Sequence, residues 1–469
     1  MKIYNTLSDR KDEFKPINGK KVNLFVCGST VYDYSHIGHA RTYIIFDAFA
    51  KYLKSRGFKV FYLQNITDLD DKIIARAREK GVPPKDLAVA FEKEYLDCMK
   101  KLGIDSVSKY ARATDYIKEI ISQVRRLQEK GFAYKIEDDG IYYDIGKFKN
   151  YGKLAGRTAL DAEDSVSRID YSKDKKNRGD FCLWKFSEGP AGGYPVPSWP
   201  SPFGIGRPGW HIEDTAITEK FFGPQYDIHG AARDLIFPHH EAEIAQMEAI
   251  SGKSPMAKYW MHGGFLTVNG QKMGKSLGNF ILLSDLLKRC PANYLRFFVV
   301  KNSWRSPIDY SESVMIEVKS AVDKIEEFLR KLKTVKSAKA SQGVNLEIKK
   351  LKENFYAELD DDFNTPQAFA VLFDFIKKAN SFLDKDLISK KQASEIYKFF
   401  QEINKIFGII NFKKADTVIP SEVKKLVKAR EQYRNNKNWQ KSDELRKEIE
   451  SKGYLIEDTD QGTVVKNTL

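Results

Sequence analysis

Cysteine is scarce in this chain: Cys27, Cys98, Cys182 and Cys290 are the only four in 469 residues, they lie far apart, and no two form a C-x-x-C pair. That spacing excludes a disulfide framework and a ribbon-type zinc site, and it suits a reducing compartment. Long apolar runs are missing too. No stretch approaches the roughly 18 uninterrupted apolar residues a membrane span requires. The opening residues, MKIYNTLSDRKDEF, are charged where a secretory leader would be apolar. These absences predict a cytoplasmic protein with no membrane partner. No repeat recurs at a fixed period, and the one biased tract is Lys-rich, near residues 330 to 340, which excludes a solenoid.

What is present is core material and positive charge. Apolar residues make up 42%, aromatics 13% and charged residues 30% of the chain, a balance that excludes global disorder. The length exceeds a single core and predicts several domains. Lys and Arg number 78 against 64 Asp and Glu, a formal +14, which favours a polyanionic partner such as nucleic acid.

Residues 21–27, KVNLFVC, read as a strand, GSTVYDYSHIGHART as a loop, and YIIFDAFAKYLKSRG as a helix with apolar positions at helical spacing. The next run, KVFYLQNIT, is strand-like and completes a β-α-β unit, so the fold class is α/β with a parallel sheet. The predicted organisation is a catalytic domain split between 1–120 and 200–300, with an insertion at 121–199. That insertion reads as irregular and Gly/Pro-rich, ending in EGPAGGYPVPSWPSPFGIGRPGW. Residues 301–412 read as a helical bundle, and 413–469 as a small mixed module of two helices, ending near Gly453, and two short strands joined at Gly462.

His36 and His39 stand three apart where a glycine-containing loop enters a helix, so both imidazoles share a face at its positive end. Such a place suits phosphate, because donors held there stabilise charge spreading over non-bridging oxygens. By itself H-x-x-H arises by chance more often than as a catalytic pair. Its partner is KMGKS, Lys272 to Ser276, which puts two ammonium groups on a Gly-flanked loop able to follow a leaving pyrophosphate.

The two motifs in this order resemble the class I aminoacyl-tRNA synthetases. The segments CGSTVYDYSHIGHAR, NITDLDDKII, GRPGWHIE, DIHGAARDLIFPHHEAEIAQ, MHGGFLTVNGQKMGKSLGNF and LDDDFNTPQAFAVLF resemble, in sequence order, the cysteinyl-tRNA synthetase family. The resemblance implies a Rossmann-type catalytic domain and ATP-dependent joining of cysteine to its tRNA through an adenylate. His36, His39, Lys272, Lys275 and Ser276 are then the ATP-binding and catalytic set. The implied partners are ATP with Mg²⁺, L-cysteine and a cysteine-specific tRNA, engaged by a monomer.

The family reads its substrate thiol through zinc held by two cysteines, a histidine and a glutamate. Three of these map onto Cys27, His239 and Glu243. Pro238 is a predicted first residue of a helix, which sets His239 and Glu243 at i and i+4 on one face. The fourth position departs from the family: GWHIED stands where GWHIEC is usual, so Asp214 is the implied fourth ligand, with the same formal charge as a thiolate. Ala231, Ala232 and Arg233 also replace family glycines, and Gly274 replaces a serine, changes expected to alter the pocket or the loop. Trp210, Thr67 and Asp234, with Cys27, are the implied lining of the amino-acid site. For RNA, KKLVKAREQYRNNKNW (424–439) carries six cations against one acid with aromatics interleaved. The resemblance further implies that Arg305 and Lys301 face the acceptor arm.

Overall fold

The structure, a computed structural model, describes residues 1–156, 172–187, 193–274, 277–337, 339–412, 420–459 and 462–467. It divides into two units, Met1–Ile410 and Asn411–Leu469.

The first unit is built on a five-stranded sheet whose strands, in chain order, are Lys21–Thr30, Lys59–Thr67, Lys109–Arg112, Tyr226–Ala232 and Ala257–Gly263. All neighbours are parallel, and the spatial order is fifth, fourth, first, second, third. Strand order therefore reverses between the first and fourth strands, the place where a doubly wound sheet opens a crevice at the carboxyl ends of its strands. The first strand buries Val22, Leu24, Phe25 and Val26, as a strand covered on both faces must.

The register between the first and second strands shifts between Val26 and Ser29. Gly28 sits in that shift, and a Cβ there would fall 1.7 Å from the Asn65 carbonyl oxygen, so only glycine fits. The irregularity places Cys27 at the mouth of the crevice. From this strand the chain enters the helix Ile37–Ser55, which packs Ile44, Phe46, Phe49 and Leu53 into the core.

Sequence reasoning treated 121–199 as irregular. The structure instead forms a four-stranded antiparallel sheet from Ala133–Ile136, Gly140–Tyr143, Phe181–Phe186 and Gly206–Pro208. Strands of three to six residues are too short to display an alternation that stands out from sequence.

The hairpin strands Leu266–Val268 and Gln271–Lys272 pair antiparallel, and the first also pairs in parallel with Ile308–Tyr310. The helices Ala292–Val300, Glu312–Lys333, Gln342–Asp360, Thr365–Asp384 and Lys390–Phe407 follow, packed around Phe297, Phe328, Phe355, Phe369, Phe400 and Phe407. Arg296 joins this bundle to the sheet domain. It is 2% exposed, its Nη2 donates to Asp47 Oδ2 at 2.7 Å, its Nη1 to the carbonyls of Leu102 and Gly103, and its Nε to that of Phe407. Among the described residues no helix is long and apolar enough to cross a membrane.

The second unit pairs the helices Ser421–Asn435 and Trp439–Ser451 with an antiparallel hairpin, Tyr454–Thr459 and Gly462–Asn467. Its small core is Val423, Val427, Ile449 and Ile456. Buried Arg430 grips both oxygens of Asp458 at 2.7 Å. Arg430, joined by Arg434, holds the Asp458 carboxyl down to about 2. A depressed carboxyl stabilises the fold above its unfolded value near 4 and withdraws that support as pH falls from about 4 toward 2. We expect amide protection in residues 420–459 to fall across that acid window while the sheet core of the first unit stays protected. Hydrogen exchange of the full chain measures this, and Arg430→Met should abolish the acid dependence.

Candidate active site

Two groups of side chains meet where the strand order reverses. The first is the histidine pair. His36 occupies the N-cap of Ile37–Ser55, where its Nδ1 accepts from the Gly38 amide at 3.1 Å, while the His36 amide donates to His39 Nδ1 at 3.2 Å. A ring whose Nδ1 accepts is neutral and carries its proton on Nε2. Burial, and then His36, push His39 well below the ordinary histidine value, which keeps that ring neutral. The two rings stack with centroids 3.8 Å apart. Both Nε2–H groups are thus fixed as donors at a helix start. Gly38 cannot be replaced cheaply, because a Cβ there would come within 2.9 Å of the His36 ring.

The loop carrying the lysines is tied to this pair at both ends. Beyond the loop, the Ile37 amide donates to Ile281 O at 3.1 Å and the Leu283 amide to Ser35 O at 2.8 Å. Before it, buried Arg41 donates to the carbonyls of Phe265 and Ser306, at the root of the hairpin. Lys272 is exposed on that hairpin, and Met273 reaches the histidine-bearing turn. Lys275 and Ser276 lie outside the described residues.

The second group is a buried cage. Donor atoms of Cys27, Asp214, His239 and Glu243 all lie within 4.8 Å of one another, as do those of Cys27, His229, His240 and Glu243. Cys27 comes from the end of the first strand, Asp214 from the helix Ile212–Phe222, and Glu243 from the helix Glu241–Ser251, with His239 in the turn just before it. His239 Nε2 stands 3.1 Å from Asp214 Oδ2 and 3.0 Å from Glu243 Oε1. One N–H cannot serve two carboxylates. The contact with Glu243 lacks hydrogen-bond geometry: both Glu243 oxygens and Asp214 Oδ1 are buried with no hydrogen-bond partner among the described residues. Burial, then the charges of Glu243 and Asp214, push the Cys27 thiol well up, and burial pushes Glu243 up. Donors crowded together so that they hold on to their protons fit a divalent cation, which would displace those protons and satisfy all of the donors at once.

Sequence reasoning missed the imidazoles around this cage. Cys27 Sγ lies 3.3 Å from His229 Nε2 and 3.2 Å from His240 Nε2; His240 Nδ1 meets His262 Nε2 at 2.8 Å, and His211 Nδ1 meets His239 Nδ1 at 2.8 Å. Burial pushes His211, His229 and His240 well down, and pushes His262 down to about 3. With His36 and His39 these are all seven histidines of the chain. That concentration was the available signal.

Of the residues implied to line an amino-acid site, Trp210 stacks on His239 with centroids 4.2 Å apart and borders a cavity of about 190 Å³ together with Leu69, Asp70, Lys72 and Arg207. Thr67 is buried and donates to Glu213 Oε2 at 2.9 Å. Asp234 is exposed, in the short 3₁₀ turn after the fourth strand. Ala231 is wholly buried in the core behind that strand, so its methyl is taken up by packing, whereas Arg233 is exposed. Arg305 is engaged by Asp362 at 2.8 Å and lies over the Tyr4 ring, which occupies its guanidinium within the fold.

The fold is that of the class I aminoacyl-tRNA synthetases. Mycobacterium tuberculosis methionyl-tRNA synthetase, solved in complex with methionyl-adenylate, superposes with a TM-score of 0.60 at 15% identity, covering 83% of this chain and 90% of that one. The family model for the class I (C) tRNA synthetase catalytic domain matches residues 13–320, a DALR domain matches 354–411, and the cysteinyl-tRNA ligase anticodon binding domain matches 416–465. The cysteine–tRNA ligase of Thermoplasma volcanium is 45% identical over 464 residues, and that of Thermodesulfovibrio yellowstonii 40% over 490, each alignment covering 99% of both chains. The chain belongs to the cysteinyl-tRNA synthetase family.

Proposed function

We propose that the chain joins cysteine to its cognate tRNA through a cysteinyl-adenylate, and that the cage around Cys27 reads the substrate thiol. The single observation that carries the reading is the meeting, at one strand crossover, of a neutral imidazole donor pair and a buried cage of one thiol, one imidazole and two carboxylates. The substrate carboxylate attacks the α-phosphorus of ATP, a new O–P bond forms, the bond to the β-phosphate oxygen breaks, and pyrophosphate leaves. A ribose hydroxyl of the terminal tRNA adenosine then displaces AMP from the adenylate.

In this reading the Nε2–H groups of His36 and His39 donate to phosphoryl oxygens as their charge grows, without giving up a proton. Lys272 and Lys275 follow the pyrophosphate, and ATP arrives with Mg²⁺. Arg41 keeps the lysine hairpin in register with the histidine turn. Cys27, Asp214, His239 and Glu243 would hold zinc. When bound, zinc supplies a Lewis acid that prefers a thiolate to a hydroxyl, the distinction that separates cysteine from serine. Trp439 supports the RNA partner: its indole is 57% exposed with Arg434 5.8 Å from the ring centroid, which together offer a surface for an unpaired base.

The test is amino-acid-dependent ATP–pyrophosphate exchange on metal-replete protein, with cysteine, serine and alanine in parallel. Exchange with cysteine alone is expected, lost on chelation and restored by zinc. The cobalt-substituted protein should show the charge-transfer band of one protein thiolate, and Asp214→Cys should add a second. Exchange with serine equal to that with cysteine would overturn the role given to the cage.

A further inference from the structure

The helix Pro84–Lys101 lies against the turn that presents His36 and His39, and one of its carboxylates holds that turn. Glu94 Oε2 accepts from Ser35 twice, from the amide at 3.1 Å and from the hydroxyl at 2.9 Å. Its other oxygen, Oε1, accepts from the Cys98 thiol at 3.1 Å, one turn further along the same helix. Burial, then the bond to Glu94, push that thiol up to about 12, so it keeps its hydrogen and can donate. No Lys or Arg among the described residues pairs with Glu94. Its charge is therefore directed at neutral donors, and hydrogen bonds to an ionised acceptor are the stronger kind.

Ser35 is 2% exposed and tied on three sides. Its amide and hydroxyl face Glu94, while its carbonyl accepts from the Leu283 amide at 2.8 Å, beyond the lysine loop. The next residue is His36, the N-cap of Ile37–Ser55. Fixing Ser35 on both sides leaves the chain one way to enter that helix. The same face of Pro84–Lys101 supports the turn twice more. Phe91 meets the Tyr34 ring edge-on at 5.2 Å, and Tyr95 meets Tyr43, which lies nearly parallel to the His39 ring. Phe91, Glu94, Tyr95 and Cys98 stand at i, i+3, i+4 and i+7, a single helix face turned to the histidine pair.

We propose that Glu94 is a positioning residue for adenylate formation: acting through Ser35, it sets the aim of the His36 and His39 Nε2–H groups. The assignment rests on the function proposed above and adds a residue that belongs to neither the histidine pair nor the cage. Loosening the turn would let the two donors drift from the phosphoryl oxygens, and a misplacement of about 1 Å is enough to slow a reaction by about 10²-fold. A carboxamide oxygen still accepts from Ser35, so Glu94→Gln keeps the hold, whereas Glu94→Ala removes it.

The experiment measures pyrophosphate exchange with cysteine on full-length, zinc-loaded protein. Glu94→Ala should lower kcat by roughly 10- to 100-fold, with calorimetric cysteine binding within about twofold of wild type, and Glu94→Gln should restore the rate to within about fivefold. Ser35→Ala removes only the hydroxyl bond, should fall between the two, and serves if Glu94→Ala is unstable. In a chain already carrying His36→Ala and His39→Ala, adding Glu94→Ala should cost less than about threefold, because the groups it aims are gone. Equal loss in both backgrounds would make Glu94 a general support of the fold and overturn the assignment. So would an unchanged rate in Glu94→Ala, or a glutamine variant as slow as the alanine one. The Leu283 amide, bonded to Ser35 and not to Glu94, reports the turn without any reaction: its hydrogen exchange should speed up roughly tenfold in Glu94→Ala. Unchanged exchange there would also overturn the assignment. If wild-type protein fails to exchange pyrophosphate with cysteine while the Leu283 amide responds as expected, the functional reading falls and the hold of Glu94 on the turn stands.

Discussion

Replacing His39 by alanine is expected to slow adenylate formation by about 10²- to 10³-fold, the range for removing one preorganised donor from a transition state. The same applies to His36, but for a compound reason. His36 supplies one Nε2–H donor and also caps the helix, and its amide sets the tautomer of His39. His36→Ala should therefore cost at least as much as His39→Ala, and the double variant should be markedly less than multiplicative. Neither ring lies in the cage, so calorimetric affinity for cysteine should stay within about threefold. Pyrophosphate exchange in the single and double variants, set against cysteine binding, decides the matter. A drop below tenfold in both single variants would remove the pair from the reaction.

The second large effect concerns stability. Arg296→Met is expected to destabilise the chain by about 3 kcal/mol or more, because it strands a fully buried carboxylate. Asp47 then keeps only Lys51 and the amides of Asp105 and Ser106, and the carbonyls of Leu102, Gly103 and Phe407 lose their shared donor. Thermal unfolding followed at once by near-ultraviolet circular dichroism and by calorimetry should show a lower midpoint. Adding Asp47→Asn to Arg296→Met should recover part of the loss, since the buried charge goes with its partner. If the single variant melts with the wild type, the guanidinium is not what holds the bundle to the sheet.

The parts of the site that could be read from sequence are those whose members lie close along the chain. His36 and His39 share a helix turn, Lys272 and Lys275 share a loop, and His239 and Glu243 stand four apart at a helix start, so local periodicity carries them. Cys27, Asp214 and Thr67 come from separate elements, and only the family resemblance associated them. His211, His229 and His262 were missed because each is alone in its own pattern, and His240, next to His239, reads as incidental to a helix start. His229 and His262 sit on the neighbouring fourth and fifth strands, and parallel pairing across the sheet brings His229 to Cys27 and His262 to His240. The fold followed the same rule. The alternation of long strands and helices announced a parallel sheet, whereas the short strands of the insertion, interrupted by Gly140 and Gly206, carried too few residues to show a period.

The seven imidazoles of a 469-residue chain fall into two groups, five linked around Cys27 and two at one helix start, which makes the molecule spectroscopically simple where it matters. Protein labelled only at the Cε1 position of its histidine rings would give seven resonances and no background from any other surface. Filling the cage, binding ATP and binding cysteine would then each be read as separate perturbations, the first at the five rings near Cys27 and the second at the pair on the helix start. A titration of the intact protein could thus follow the order in which the ligands arrive without a single reporter group being added.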